Sequence, residues 1–172
     1  MKAITALKSR LSQNNTLYIQ NEGGHLSEAG FEWNEPATIE EIYEFEGQNQ
    51  ILLPETYKEF LRISNGALIF KDIQYGQWGC KVLGLNDILK VTSKKIKVGC
   101  QLKKYWTVFA TWLGDGDMLV FDLNKYKAGE KNYIIDADQG YQTNKWVYIQ
   151  GDFSKWIDRL IVAQGAKYWR WY

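Results

Sequence analysis

One histidine, two cysteines, two prolines and no long apolar run set the first limits on what this chain can be. His25 stands alone, which removes most histidine-based metal sites. It sits in the Gly-rich stretch NEGGHLSE, read here as an exposed loop, with no nucleophile or carboxylate arrangement beside it. Cys80 and Cys100 match no metal spacing such as CxxC, and two thiols do not make a disulfide framework. Whether they pair is open at this level; a reducing, cytoplasmic setting is the expectation. Nothing reaches the ~18 consecutive apolar residues that a membrane span requires. Lys8 and Arg10 interrupt the N-terminal segment, so it reads as an amphipathic helix and not as a signal peptide. Walker, GxGxxG, HExxH and GxSxG patterns are all missing.

Net charge is also scarce. Lys+Arg number 21 against Asp+Glu 20 in 172 residues, which excludes a uniformly basic nucleic-acid binder and a uniformly acidic DNA mimic. What the chain has in excess is aromatic side chains: 8 Trp, 11 Tyr and 7 Phe, 15% of the residues.

Ile4, Leu7 and Leu11 predict a helix over residues 2–12, and residues 13–35 read as loop-rich, with a short strand at Leu17–Gln20 and a turn at Gly23-Gly24. Thr38 and Glu41 form a T-x-x-E capping box for a second helix that Gly47 ends. Pro54 and Glu55 open a third helix; Tyr57, Phe60, Leu61 and Ser64 line its face, and Asn65-Gly66 supplies left-handed residues to stop it. Period-two runs follow: Ala67–Phe70, Lys81–Leu85 with a turn at Asn86-Asp87, and Trp106–Leu113 joined to Met118–Leu123 across Gly114-Asp115-Gly116-Asp117. Residues 132–138 and 145–150 give two more strands about Gln139-Gly140. Residues 90–105 are a helix or a solvated loop. A last helix carries Phe153, Trp156, Ile157, Leu160 and Ile161 between Asp152 and Gly165. This order predicts an α+β domain: a mostly antiparallel twisted sheet with helices packed against one face. Its other face is then expected to leave some large aromatic of 106–113 to solvent or to a partner.

At Leu53, Pro54, Tyr57, Lys58, Phe60, Leu61, Asn65 and Gly66 the chain resembles the SUKH superfamily (Smi/Knr-type domain). The helix at 38–46, Leu83-Gly84, the hairpin from Gly114 to Leu123 and the helix from Asp152 to Leu160 follow in the same order. The resemblance spans residues 28–163, leaving 1–27 as an N-terminal helix and loop extension and 164–172 as an aromatic tail. The motif residues, Gly84 included, read as structural, so the resemblance implies a scaffold without catalysis and without a cofactor. It further implies a bacterial immunity protein that binds a cognate toxin domain in the cytoplasm. A Smi/Knr-like regulatory or scaffold protein, or a module binding a carbohydrate or other small ligand, are the competing readings.

The near-zero total hides two blocks. Residues 28–59 hold nine glutamates against Lys58 alone, net −8, whereas residues 81–104 hold seven lysines against Asp87, net +6. Glu40 and Glu44 share a helix face opposite the Ile39/Ile42 side, and with Glu41 they are one expected partner surface. Trp33, Tyr75 and Trp78 are the other, since Trp and Tyr are enriched at binding hot spots. The lysines lack the Arg pattern of base readers, so no direct nucleic-acid contact is expected. Asp115/Asp117 and Asp136/Asp138 read as turn and strand-end residues and not as a cation site or an acid/base pair. The tail (Tyr168, Trp169, Arg170, Trp171, Tyr172) either packs back or anchors another chain.

Overall fold

A computed structural model of the protein describes residues 1–171, apart from the side chain of Glu22. Its strands are β1 (Thr16–Gln20), β2 (Leu26–Trp33), β3 (Ala67–Asp72), β4 (Cys80–Val82), β5 (Trp106–Trp112), β6 (Met118–Asp122), β7 (Ile134–Ala137) and β8 (Val147–Ile149). They form one sheet in sequence order, every neighbouring pair antiparallel. The helices are α1 (Lys2–Lys8), α2 (Ile39–Asn49), α3 (Glu55–Leu61), α4 (Leu85–Lys97), α5 (Leu123–Lys127) and α6 (Phe153–Val162). This is the α+β architecture that the order of patterns predicts.

The core centres on aromatic rings from helices and sheet. Phe109 of β5 stacks on Phe121 of β6 at 3.9 Å between centroids; Tyr57 of α3 and Phe153 of α6 meet Phe121 edge-on, and Trp156 meets Phe109 at 5.3 Å. All six rings of Tyr57, Phe60, Phe109, Phe121, Phe153 and Trp156 are fully buried. Such a cluster gains from its area and from edge-to-face geometry.

Coverage extends beyond one face. Every residue of β6 is buried, and α4 packs on β5, where Thr92 Oγ1 accepts the Val108 N–H at 2.9 Å. The expectation of solvent-facing aromatics on β5 is therefore corrected. Trp106 stacks against Trp146 and donates to Asp122 Oδ2 at 3.1 Å, Trp112 lies under Trp169, and a bulge between Val108 and Ala110 accommodates Phe109, which is buried in the core.

Four local readings also change. Residues 26–33 are a full strand and not loop: Gly30 and two glutamates weaken the pattern, but pairing with both β1 and β3 imposes it. Helix α2 runs through Gly47 and stops at Gln50, which takes the left-handed conformation (φ 52°). Leu85-Asn86-Asp87 is the first turn of α4 and not a strand end. Helix α3 ends at Leu61, so Asn65 does not cap it; of the pair only Gly66 has positive φ (93°).

Strand β1 is an outer edge, and neighbouring groups close part of it. Ser12 bonds both backbone groups of Thr16, and Gln164 Oε1 accepts the Gln20 N–H at 2.8 Å.

Candidate functional site: two partner surfaces and a clamped tail

The motif residues Leu53 to Gly84 build a junction. Leu53 is buried and its N–H donates to Glu46 Oε1 at 2.6 Å; the Pro54 carbonyl accepts the N–H groups of Tyr57 and Lys58. Tyr57 donates its buried hydroxyl to the Leu83 carbonyl at 2.5 Å. Burial, and then the charge of Asp87, pushes the Tyr57 phenol well up, so it stays protonated as a donor. Phe60 and Leu61 are buried in the core cluster. Asn65 Oδ1 accepts the Leu85 N–H at 2.8 Å, and Asn34 Nδ2 donates to the Asn65 carbonyl at 2.8 Å. A methyl group at Gly66 would stand 2.8 Å from the Gly84 nitrogen, and one at Gly84 would stand 2.2 Å from the Asn65 oxygen. Backbone packing requires glycine at both positions.

Much of the acidic block is tied down internally. Lys58, nearly buried, pairs with Glu55 at 2.6 Å and Glu46 at 3.4 Å; burial works against its charge, but the two carboxylates outweigh it and raise its pKa. Glu32 pairs with Lys71 at 2.7 Å, and Glu28 accepts the Thr16 hydroxyl. Glu41 completes the capping box with Thr38. Glu40 and Glu44 are exposed on α2 and have no ion-pair partner among the described residues; Glu44 accepts only from the Gln48 amide. Beside them Tyr43 (58% exposed) and Ile39 (38%) face solvent, whereas Ile42 alone turns fully inward. The expectation that Ile39 lies on the hidden side with Ile42 is thus corrected. At the first helical position it has only a partial cover, and it joins the glutamates on the open surface.

The three aromatic candidates separate. Trp33 is half-buried at the end of β2, stacked near Phe31, with Lys8 of α1 over its ring at 4.9 Å. Tyr75 and Trp78 lie on the β3–β4 loop and line a groove of about 850 Å³. Tail residues Gln164, Ala166 and Trp171 build its opposite wall, and none of Trp33, Glu40, Glu41 and Glu44 reaches it.

The tail packs back onto the body. Lys167 Nζ meets Asp115 at 2.6 Å and Asp117 at 2.5 Å; Arg170 grips Asp136 through two 2.6 Å bonds and reaches Asp117 at 2.8 Å and Asp138 at 3.0 Å. Burial opposes the charge of Asp117, but the Gln139 N–H, Lys167 and Arg170 outweigh it and hold this carboxyl below the ordinary range. Lys167 also lies over Trp78 at 5.3 Å and Trp112 at 5.1 Å, which links the tail to the aromatic loop. The reading of the two Asp pairs as local turn residues missed these partners. The only sequence signal was Lys167-x-x-Arg170 among aromatics, and it names no acceptor. Tyr172 lies outside the described residues.

The lysine block is partly committed: Lys81 pairs with Asp87, Lys95 donates to the Gly116 carbonyl, and Lys103 lies over Trp106. Cys80 and Cys100 are free thiols, the first buried and pushed up in pKa by that burial. His25 is exposed in its loop. No helix among the described residues is long and apolar enough to cross a membrane.

The chain is 26% identical to the uncharacterized protein YobM of Bacillus subtilis (strain 168) across 99% of its own length and 90% of that protein. It is 28% identical to the uncharacterized protein YnaB of the same strain, over 84% of this chain and 90% of that one. The SMI1/KNR4 family (SUKH-1) pattern matches residues 36–159, which takes in the Pro54–Gly66 element, Gly84, the β5–β6 hairpin and most of α6. By that match over most of its length, the chain belongs to the SMI1/KNR4 family (SUKH-1).

Proposed function

We propose that this protein is a non-enzymatic immunity protein of the bacterial cytoplasm that binds a cognate toxin domain, possessing nuclease or similar activity, and neutralises it by occlusion. The observation that carries the reading is the α2 surface, where Glu40 and Glu44 stand without cationic partners among the described residues, beside solvent-facing Tyr43 and Ile39. Elsewhere in the block, Glu28, Glu32, Glu41, Glu46 and Glu55 are engaged within the fold. A carboxylate pair around an exposed aromatic suits a basic protein surface such as a nucleic-acid-binding cleft. It supplies steering over distance and an anchor on contact. Family membership supports the same reading, because SUKH domains commonly serve as immunity factors. The aspartates that most resemble catalytic or cation-binding pairs are each neutralised by Lys167 or Arg170, which favours a structural role for them.

Co-expression tests it. A toxin C-terminal domain encoded directly upstream of this chain should lose its growth inhibition when the protein is present, and the two should co-purify. Continued toxicity with every adjacent toxin domain would refute the proposal.

A further inference from the structure

The groove between the β3–β4 loop and the tail has a definite chemical character. Its lining includes one half-buried carboxylate, Asp72, and three aromatic rings at least one-third exposed, Tyr75 (70%), Trp78 (37%) and Trp171 (55%). No lysine, arginine or histidine is among the residues that line it. Asp72 ends β3 and is paired with Ala29 of β2, so the two side chains share the groove's face of the sheet, whereas Glu28 points to the opposite face. Asp72 is held by the N–H groups of Gln74 and Tyr75, both to Oδ1. These bonds orient the carboxylate and leave its charge without an ion-pair partner among the described residues.

We propose that this groove is a second protein-binding surface, which takes a lysine- or arginine-bearing segment of a partner. The argument is one of charge and ring geometry. A cation over exposed indole or phenol faces, with a carboxylate in reach, is held by the ring quadrupole and by a charge-assisted hydrogen bond together. The chain already displays this arrangement next door, where its own Lys167 lies over Trp78 and Trp112 and is held by Asp115 and Asp117. Tyr75 and Trp171 have no cation over their rings among the described residues. The same clamp fixes the tail from which Trp171 projects, so the wall is formed before a partner arrives and its ordering cost is already met. This inference does not depend on the toxin reading of α2, since any protein with a basic extended segment fits the groove.

The test uses the full chain and a blocked tetrapeptide, acetyl-Gly-Arg-Lys-Gly-amide, titrated at physiological salt while ring resonances are followed by NMR. The Tyr75, Trp78 and Trp171 signals should shift saturably, and acetyl-Gly-Glu-Glu-Gly-amide should leave them in place. The variant Asp72→Asn keeps the accepting oxygen and should weaken the basic peptide about tenfold. Tyr75→Ala, in the exposed loop, should weaken it independently should the Asp72 variant fail to fold. Glu40→Gln with Glu44→Gln should change nothing. The proposal is overturned if the groove rings do not shift, if the acidic peptide binds equally well, or if the α2 variant loses as much affinity as the groove variant.

Discussion

Asn65 and Gly84 are in backbone contact. The Asn65 side chain accepts the first helical N–H of α4 at 2.8 Å, and its carbonyl oxygen occupies the space that a side chain at Gly84 would need. This contact ties the start of β3 to the start of α4, whereas the order of motifs alone reads Asn65 as the stop of α3. The most distinctive pair of the motif therefore acts across the fold, between segments some twenty residues apart.

Gly84→Ala should be among the most damaging small changes in the molecule. A methyl group 2.2 Å from a backbone oxygen forces the junction apart, at an expected cost of about 2 to 4 kcal/mol. Asn65→Ala removes the cap alone and should cost about 1 kcal/mol. Urea unfolding of both variants measures the difference; equal, negligible losses would contradict the clamp.

Tyr57→Phe should cost about 1 to 3 kcal/mol, because the Leu83 carbonyl then stays buried without its donor. The ring itself is kept, so far-ultraviolet dichroism should remain that of the native protein while the unfolding midpoint falls.

Asp117 makes stability depend on acid. Its folded-state pKa is depressed, so its contribution is complete above the ordinary carboxylate value of about 4 and is lost as pH falls through the lower folded value. In Asp117→Asn that part of the acid limb should flatten, and the variant should be less stable than the parent near neutrality. Melting temperature against pH from about 2 to 7 tests both points; an unchanged acid slope would show that the tail clamp does not depend on this charge.

Legibility followed the range of the interactions. Local signals were decisive where one element carries them: the Thr38–Glu41 capping box forms as spaced, and Asp152 caps α6, whose apolar stripe is buried. The SUKH assignment also rested on a contiguous run, Leu53 to Gly66. Strand β2 was hidden because its own residues favour it little and its two neighbours impose it. The tail clamp joins Lys167 to Asp115 and Asp117, and Arg170 to Asp136, across 34 to 52 residues, a pairing that no local pattern encodes. Of the partner candidates, Tyr75 and Trp78 meet in one groove, Glu40 and Glu44 remain open on α2, and Trp33 is half-buried beside α1. Only the fold separates these, because no local pattern says which aromatic or glutamate a neighbouring element covers.

The central claim, that the α2 carboxylates meet a basic toxin surface, is tested most directly by association kinetics. The rate of complex formation with the toxin domain encoded beside this chain should be measured against salt, for the parent and for Glu40→Lys with Glu44→Lys. The parent should associate fast and slow steeply with salt, and the reversed variant, still folded, should associate about tenfold more slowly with a shallower salt dependence. Equal rates and equal salt dependence for the two proteins would contradict the account.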